Sequence, residues 1–553
     1  MVGKINISKV LARRGFGDYF YRRVRPKQCG TCRYQNGQKG FRLEEISRRR
    51  WRLSQWVPSL LLVSAVVPLA VAHSTRTPTW DELFFLHRAA CVNNAVFDLS
   101  GEQLAICMAN MFKSPVMSVL LLPAGPLDGD VGQLAVAPFM LGLITFGLAI
   151  WLAFLVHRLQ VALPAIVGLA GAIALSRPAA GSGGGWLLVD GAYALLVAIA
   201  LLLPFIEREL PVSATRTAVA RGLLWGGITA AGVLSKLTFP FFLAMIAPLT
   251  LVLSWRHSGM RSTLIKSAVA SGVCLLPLVM FVEYGSIYFR IAWLSSYGSW
   301  APFYDDQMSL RQFFGQLGVV NGIDYRYWLL CATIVGFGLF RRRRDPVHLL
   351  LALAAGTLVL VYLAMVVVST NREPRFLWPV WIALPLIAAC LTASGHGTAD
   401  RFLPTPAIVV AFLLALPMLW RFDFHVVTEA TALMRMLPRD RPVTLQIASD
   451  ESALNIETLV LAKELNRREL ARIYPTTVVY DLANGRTLDH SLNALRNADF
   501  VLLRSPVTVP PGPEFSNRFA ADFLKTVRSC GHYLLDEPGP PELIVAAMQP
   551  SRC

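Results

Sequence analysis

Apolar runs long enough to cross a bilayer recur between Trp56 and Trp420, separated by short polar or charged connections. A membrane helix needs about 20 mostly apolar residues, so these runs predict about eleven spans. They fall near 55–73, 136–156, 160–176, 187–206, 221–235, 238–255, 266–283, 326–340, 347–368, 376–393 and 403–420. Beyond residue 421 the pattern changes. Val443–Ala448, Thr476–Tyr480, Phe500–Leu503 and Tyr533–Leu535 read as short buried strands, and Glu451–Leu465, Leu488–Asn497 and Phe519–Val527 as helices. Strands alternating with helices predict a small α/β domain over 421–553. No Gly-rich phosphate loop follows any of these strands, so a nucleotide site is not expected there.

Three polar stretches interrupt or follow the spans: 74–135, 284–325 and the terminal domain 421–553. Within the first, Leu104–Leu122 is apolar but broken by Asn110, Lys113 and Pro115, and reads as a helix lying at the interface. The second is rich in Tyr, Trp and Phe, which suits an interfacial belt or a saccharide surface.

Charge orients this arrangement. The chain of 553 residues is 54% hydrophobic and 16% charged, with a formal net charge of +17. An ordinary soluble protein is about 25% charged. The cations crowd residues 1–54 and the block Arg341–Arg344, beside apolar runs, as cytoplasmic flanks of spans do. That placement argues against nucleic acid as the partner. Alternation from a cytoplasmic N-terminus puts the loops 74–135 and 284–325 and the domain 421–553 on the outside. The composition suits a bacterial inner membrane, with the endoplasmic reticulum left open. Nine cysteines do not form a disulfide scaffold in a chain this long. Cys29 and Cys32 read as reduced thiols, Cys530 with Cys553 is a candidate pair, and Cys91 with Cys107 is a weaker one.

Ionisable residues at or near membrane depth are costly and mark candidate function. Thr79-Trp80-Asp81-Glu82 follows the first span, and Thr79 with Glu82 fits a capping box. Asp81 falls in the first helical turn, where it could take a proton from an acceptor hydroxyl. Arg88 lies on or beside the same face, whereas His87 reads as structural. Asp190 opens a later span, either as a solvated helix-terminal carboxylate or as a second acid that orients substrate. Lys236 occupies a short connection between spans, either snorkelling or countering a phosphate. Arg372 and Arg375 flank Pro374 at the entry to a span. A guanidinium fork and a helix N-terminus both suit phosphate. A carboxylate base and fixed cations on one side of the membrane fit displacement of a phosphate leaving group. No metal-ligand cluster is evident, so a metal-free, cofactor-free mechanism is expected.

These motifs resemble the GT-C superfamily of membrane glycosyltransferases, near family 39 and the aminoarabinose transferases of lipid A. The resemblance rests on Trp80-Asp81-Glu82-Leu83-Phe84-Phe85, Lys113-Ser114-Pro115, Leu188-Val189-Asp190-Gly191, Lys236 before a Pro-containing helix, and Arg375-Phe376-Leu377-Trp378-Pro379. It covers roughly 56–393, and the terminal domain matches no part of the family. The resemblance implies a GT-C-like polytopic α-helical fold, a polyprenyl-phosphate sugar donor and inversion at the anomeric carbon. It implies Asp81, with Glu82 and Asp190, as the catalytic set, and Arg88, Lys113, Lys236, Arg372 and Arg375 around the substrates. The rival readings are a transporter or lipid-linked sugar flippase, and a non-catalytic subunit of an envelope polysaccharide assembly. The inverted repeats common in transporters are not evident.

Overall fold

The computed structural model describes residues 80–109, 116–127, 189–209, 215–236, 238–296, 356–364, 424–449, 455–479, 486–505, 518–536 and 542–549, with isolated positions between them. The segment 1–54 and the expected spans 55–73, 160–176, 326–340 and 403–420 lie outside the described residues, as do 136–156 and 376–393 apart from isolated positions.

Helix α1 runs Trp80–Phe97. It ends where Leu99 turns left-handed at φ 54, with Ser100 N–H on the Ala95 carbonyl and Leu99 N–H on that of Val96. This is a Schellman closure made without glycine. Ser100 then caps helix α2, Gly101–Ala109, its hydroxyl accepting from Gln103 N–H at 3.2 Å. A disulfide between Cys91 and Cys107 holds α2 against α1. Helix α3 follows at Val116–Leu121, with a 3-10 turn at Leu122–Ala124. Of the interfacial helix expected over Leu104–Leu122, the described residues are helical up to Ala109 and again over Val116–Leu121, and 110–115 lie outside the described residues.

Helices α4 (Val189–Glu209), α5 (Thr215–Ser235) and α6 (Thr238–Ser296) form the described membrane bundle. Among the described residues, α5 and the stretch Thr238–Leu275 of α6 are long and apolar enough to cross a membrane. Helix α6 is interrupted at Gly259, whose φ of 77° and ψ of 165° are non-helical. Twelve residues of straight helix would hold Ser254 and Lys266 about 18 Å apart along the axis. Instead Lys266 Nζ donates to Ser254 Oγ at 2.5 Å, so the chain folds back at Gly259. The expected polar connection Arg256–Lys266 is thus a tight helical reversal. The helix also continues to Ser296, so residues 284–296, read as outside loop, are helical. Their sequence is apolar and aromatic, without proline to stop it.

Two glycines set the packing of α5 on the second arm of α6. A Cβ on Gly222 would lie 2.7 Å from the Lys266 carbonyl oxygen, and one on Gly226 would lie 2.6 Å from Val273 Cβ. Small residues four apart let membrane helices approach this closely. Beneath them, Lys266 Nζ donates to Glu207 Oε2 at 2.7 Å, and Trp225 Nε1 to Glu207 Oε1 at 2.8 Å. All three side chains are buried. This cluster ties α4, α5 and both arms of α6 at one end.

The terminal domain begins with α7 (His425–Arg435) and continues β1 (Val443–Ile447), α8 (Ile456–Leu465), α9 (Arg467–Leu470), β2 (Ile473–Thr477), α10 (Leu488–Arg496), β3 (Phe500–Ser505), α11 (Arg518–Cys530), β4 (Gly531–Asp536) and β5 (Glu542–Met548). The sheet order is β2-β1-β3-β5-β4, with β2, β1 and β3 parallel and β5 antiparallel to β3 and β4. Strand β2 lies three residues earlier than the expected Thr476–Tyr480. Pro475 sits inside it, tolerated because β2 is an edge strand. Strand β5 was not anticipated. Its run Leu543-Ile544-Val545-Ala546 is buried between two neighbours, and such a run lacks the alternation that marks a half-buried strand.

Candidate functional site

Three chain segments meet at the hydroxyl of Tyr193. This residue sits one turn into α4 and is 1% exposed. Its oxygen lies 2.7 Å from Thr238 Oγ1 and 2.7 Å from the Tyr362 hydroxyl, the latter on the helical stretch 356–364. Each hydroxyl has one proton to give and two lone pairs, so the three act as a polar chain within an apolar bundle. The floor is aromatic. Tyr193 meets Phe239 edge-on at 6.1 Å, and Phe239 meets Phe242 at 5.5 Å. Gly232 makes room, since a Cβ there would come within 2.4 Å of the Phe239 ring.

Lys236 stands between α5 and α6. Its N–H donates to the Gly232 carbonyl and its carbonyl accepts from Phe239 N–H, so its backbone closes one helix and opens the next. Its Nζ lies over the Tyr193 ring, 5.8 Å from the centroid. The N-terminal N–H groups of α6 begin beside it at Thr238. A lysine, a chain of hydroxyls and a helix N-terminus at one point form a setting suited to a phosphate or a sugar oxygen.

Asp190 lies in the first turn of α4, three residues before Tyr193, and its side chain is outside the described residues. Asp81 lies in the first turn of α1, with its side chain likewise outside. Glu82 is fully buried. Thr79, Lys113, Arg372 and Arg375 lie outside the described residues. Arg88 stacks over Phe84 at 5.4 Å and reaches the Cys107 carbonyl at 3.5 Å. Burial pushes its guanidinium below the ordinary value, opposed by the nearby carboxylates of Glu457 and Glu464. Arg88 therefore faces the terminal domain. His87, read as structural, is buried and pairs through Nδ1 with Glu457 Oε2 at 2.5 Å. No group of three or more His, Cys, Asp or Glu that could hold a metal occurs among the described residues.

Reading the sequence singled out Lys236 and Asp190 and did not single out Tyr193, Thr238 and Tyr362, whose hydroxyls the structure brings together. Tyr193 and Thr238 carried a signal, since they sit three and two residues from Asp190 and Lys236. Tyr362 carried none, because a tyrosine in an apolar run resembles an interface anchor.

The sequence matches no family model and no curated protein. In fold the chain is similar to two crystal structures of ArnT from Cupriavidus metallidurans. With the one bound to undecaprenyl phosphate it shares 14% identity at a TM-score of 0.48, over 88% of this chain and 97% of that chain. With the apo form it shares 14% identity at a TM-score of 0.47, over 91% of this chain and 99% of that chain.

Proposed function

We propose that the chain transfers a sugar from a polyprenyl-phosphate donor to a hydroxyl acceptor on the non-cytoplasmic face, by a metal-free, inverting displacement. The observation that carries this reading is the meeting of Lys236, Tyr193, Thr238 and Tyr362 at the N-terminus of α6. Donors fixed before reaction stabilise charge as it develops on a departing phosphate, and need no reorganisation at that moment.

In this mechanism Asp81 accepts the proton of the acceptor hydroxyl. The freed oxygen attacks the anomeric carbon from the face opposite the phosphate, and the bond from that carbon to the phosphate oxygen breaks. The electron pair leaves on the phosphate. Lys236, with Arg372 and Arg375, holds the phosphate, while Asp190 orients sugar hydroxyls beside Tyr193. Single displacement inverts the anomeric centre. Glu82 and Lys113 complete the proposed site from α1 and the segment after α2, whereas Arg88, turned toward Glu457 and Glu464, is left out of it.

Mass spectrometry of lipid extracts tests the reading. Deleting the protein should cause a sugar-bearing polyprenyl phosphate to accumulate, and restoring wild type but not Asp81→Asn should clear it. An unchanged lipid-linked sugar pool on deletion overturns the function, and clearance by Asp81→Asn removes that residue from the chemistry. Binding of undecaprenyl phosphate should weaken about tenfold in Lys236→Ala and in Arg375→Ala, the size of one lost hydrogen bond to a charged group.

A further inference from the structure

Helix α1 is held along its length by the terminal domain. Three rungs join it to α8 and its extension α9: His87 to Glu457, the Asn94 amide to the Glu464 carbonyl at 3.3 Å, and Asp98 to Arg467. Residue numbers rise together along both partners, so the helices run parallel. On its other side α1 is fastened to its own loop. The Asn93 amide donates to the Leu121 and Gly125 carbonyls, the Asn94 amide also donates to that of Leu127, and Cys91 is bridged to Cys107.

The rungs differ in kind. Asp98 and Arg467 are partly exposed, the setting in which ion pairs contribute least. The His87 and Glu457 side chains are 5% and 9% exposed. Burying both costs desolvation that an apolar pair of the same shape would avoid, so net stability is a poor reason for the pair. What sets it apart is its position: it is the rung nearest Asp81, six residues or about 9 Å along the helix axis. Glu457 lies in the first turn of α8, whose N-cap Asn455 accepts from Thr458 N–H, so the carboxylate sits on a rigid support.

We infer that His87 and Glu457 are positioning residues through which the terminal domain sets the placement of α1, and with it Asp81, relative to the phosphate site at Lys236. The inference rests on the proposed transfer reaction for its functional consequence, but the mechanical coupling stands on the contacts alone. The terminal domain is then part of the catalytic apparatus.

The test uses the full-length protein in lipid nanodiscs, with undecaprenyl phosphate as the binding probe and clearance of the accumulated lipid-linked sugar as the measure of turnover. In Glu457→Gln, deuterium exchange over residues 80–88 should quicken while exchange in β1 and β3 stays as in wild type. Undecaprenyl phosphate affinity should remain within twofold, and turnover should fall about tenfold or more, as expected when a reacting group is misplaced. Glu457→Asp should recover part of the turnover, and Arg467→Gln should behave as wild type. His87→Gln repeats the test from the helix side, should the domain itself loosen in Glu457→Gln. Unchanged exchange over 80–88 in both variants overturns the coupling. Quickened exchange with unchanged turnover overturns the positioning role, as does an undecaprenyl phosphate affinity that falls in step with turnover. If deletion of the protein leaves the lipid-linked sugar pool unchanged, it is the proposed function that fails, and the exchange measurement still decides the coupling.

Discussion

Glu464 shows how one largely buried carboxylate reports on the contact between loop and domain. Burial raises its pKa above the ordinary carboxylate value, while His87, Lys463, Arg467 and Arg88 pull it back. The folded protein therefore holds this proton more tightly than the unfolded chain does. The contribution to stability is complete below the unfolded value, about 4.3, and is lost as pH rises through the raised folded value. Glu464→Gln removes that loss and keeps the carbonyl that accepts from Asn94. The variant should melt higher than wild type at pH 7, and the two should converge near pH 4 in thermal unfolding of the full chain. A lower melting temperature at pH 7 would mean that the neighbouring basic groups outweigh burial. At this scale the sequence was legible where a charge interrupts an apolar run, as at Lys236. It was silent where neutral hydroxyls do the work. The bond between Tyr193 and Tyr362 joins residues 169 apart, and no local pattern announces it.

Among the described elements, helices fall at the expected spans 187–206, 221–235, 238–255 and 266–283, because burial in lipid demands continuous apolar length. Hydropathy could not show how they touch. Gly222, Gly226 and Gly227 look alike in Arg221-Gly222-Leu223-Leu224-Trp225-Gly226-Gly227, yet only two of them face a neighbour. A Cβ on Gly226 meets Val273 at 2.6 Å and the Ala270 carbonyl oxygen at 3.0 Å, whereas one on Gly227 meets nothing within 4 Å. Gly226→Ala should thus cost about 1–3 kcal/mol through overpacking of α5 on α6. Gly227→Ala should be neutral or stabilise by up to about 1 kcal/mol, since glycine loses more backbone freedom than alanine when the chain becomes helical. Denaturant titration of the two variants in detergent micelles decides this, and equal effects would show that α5 is not seated against α6 as described. The terminal domain gives the complementary lesson. Its β1, β3, α10 and α11 were read within a few residues, because short apolar runs and helical periodicity are local signals, as is the Thr487 hydroxyl that accepts from His490 N–H, which the reading did not use. The displaced β2 and the unread β5 depended on sheet order, which is not local.

At the scale of the whole molecule, one long-range contact constrains the path of the chain. The rung from Asn94 to Glu464 links residues 370 apart, one from the segment after the first expected span and one from the domain after the last. Two water-exposed segments that pack together share a side of the membrane, so the chain between them crosses an even number of times. The ten expected spans from 136–156 to 403–420 meet that condition, and a span over Leu104–Leu122 would break it. Cysteine chemistry points to the same side. Cys91 and Cys107 are bridged, and Cys530 in the terminal domain is also disulfide-bonded. Such bonds persist in oxidising compartments, which lie outside the cytoplasm. The bridge closes a loop with a sequence separation of 16. Loops of that size are stabilised by about 3 kcal/mol, so Cys107→Ser should loosen α2 from α1 while the sheet of the terminal domain persists. Alkaline phosphatase folds only where disulfides form. Fused after Cys553 it should be active in a bacterial host, and fused within Arg341–Arg344 it should be inactive. Activity at the arginine block with none at the end would invert the orientation and carry Asp81, His87 and Glu457 to the cytoplasmic side. Activity at both points would instead break the alternation between them, and the count of spans after Arg344 would have to change by one.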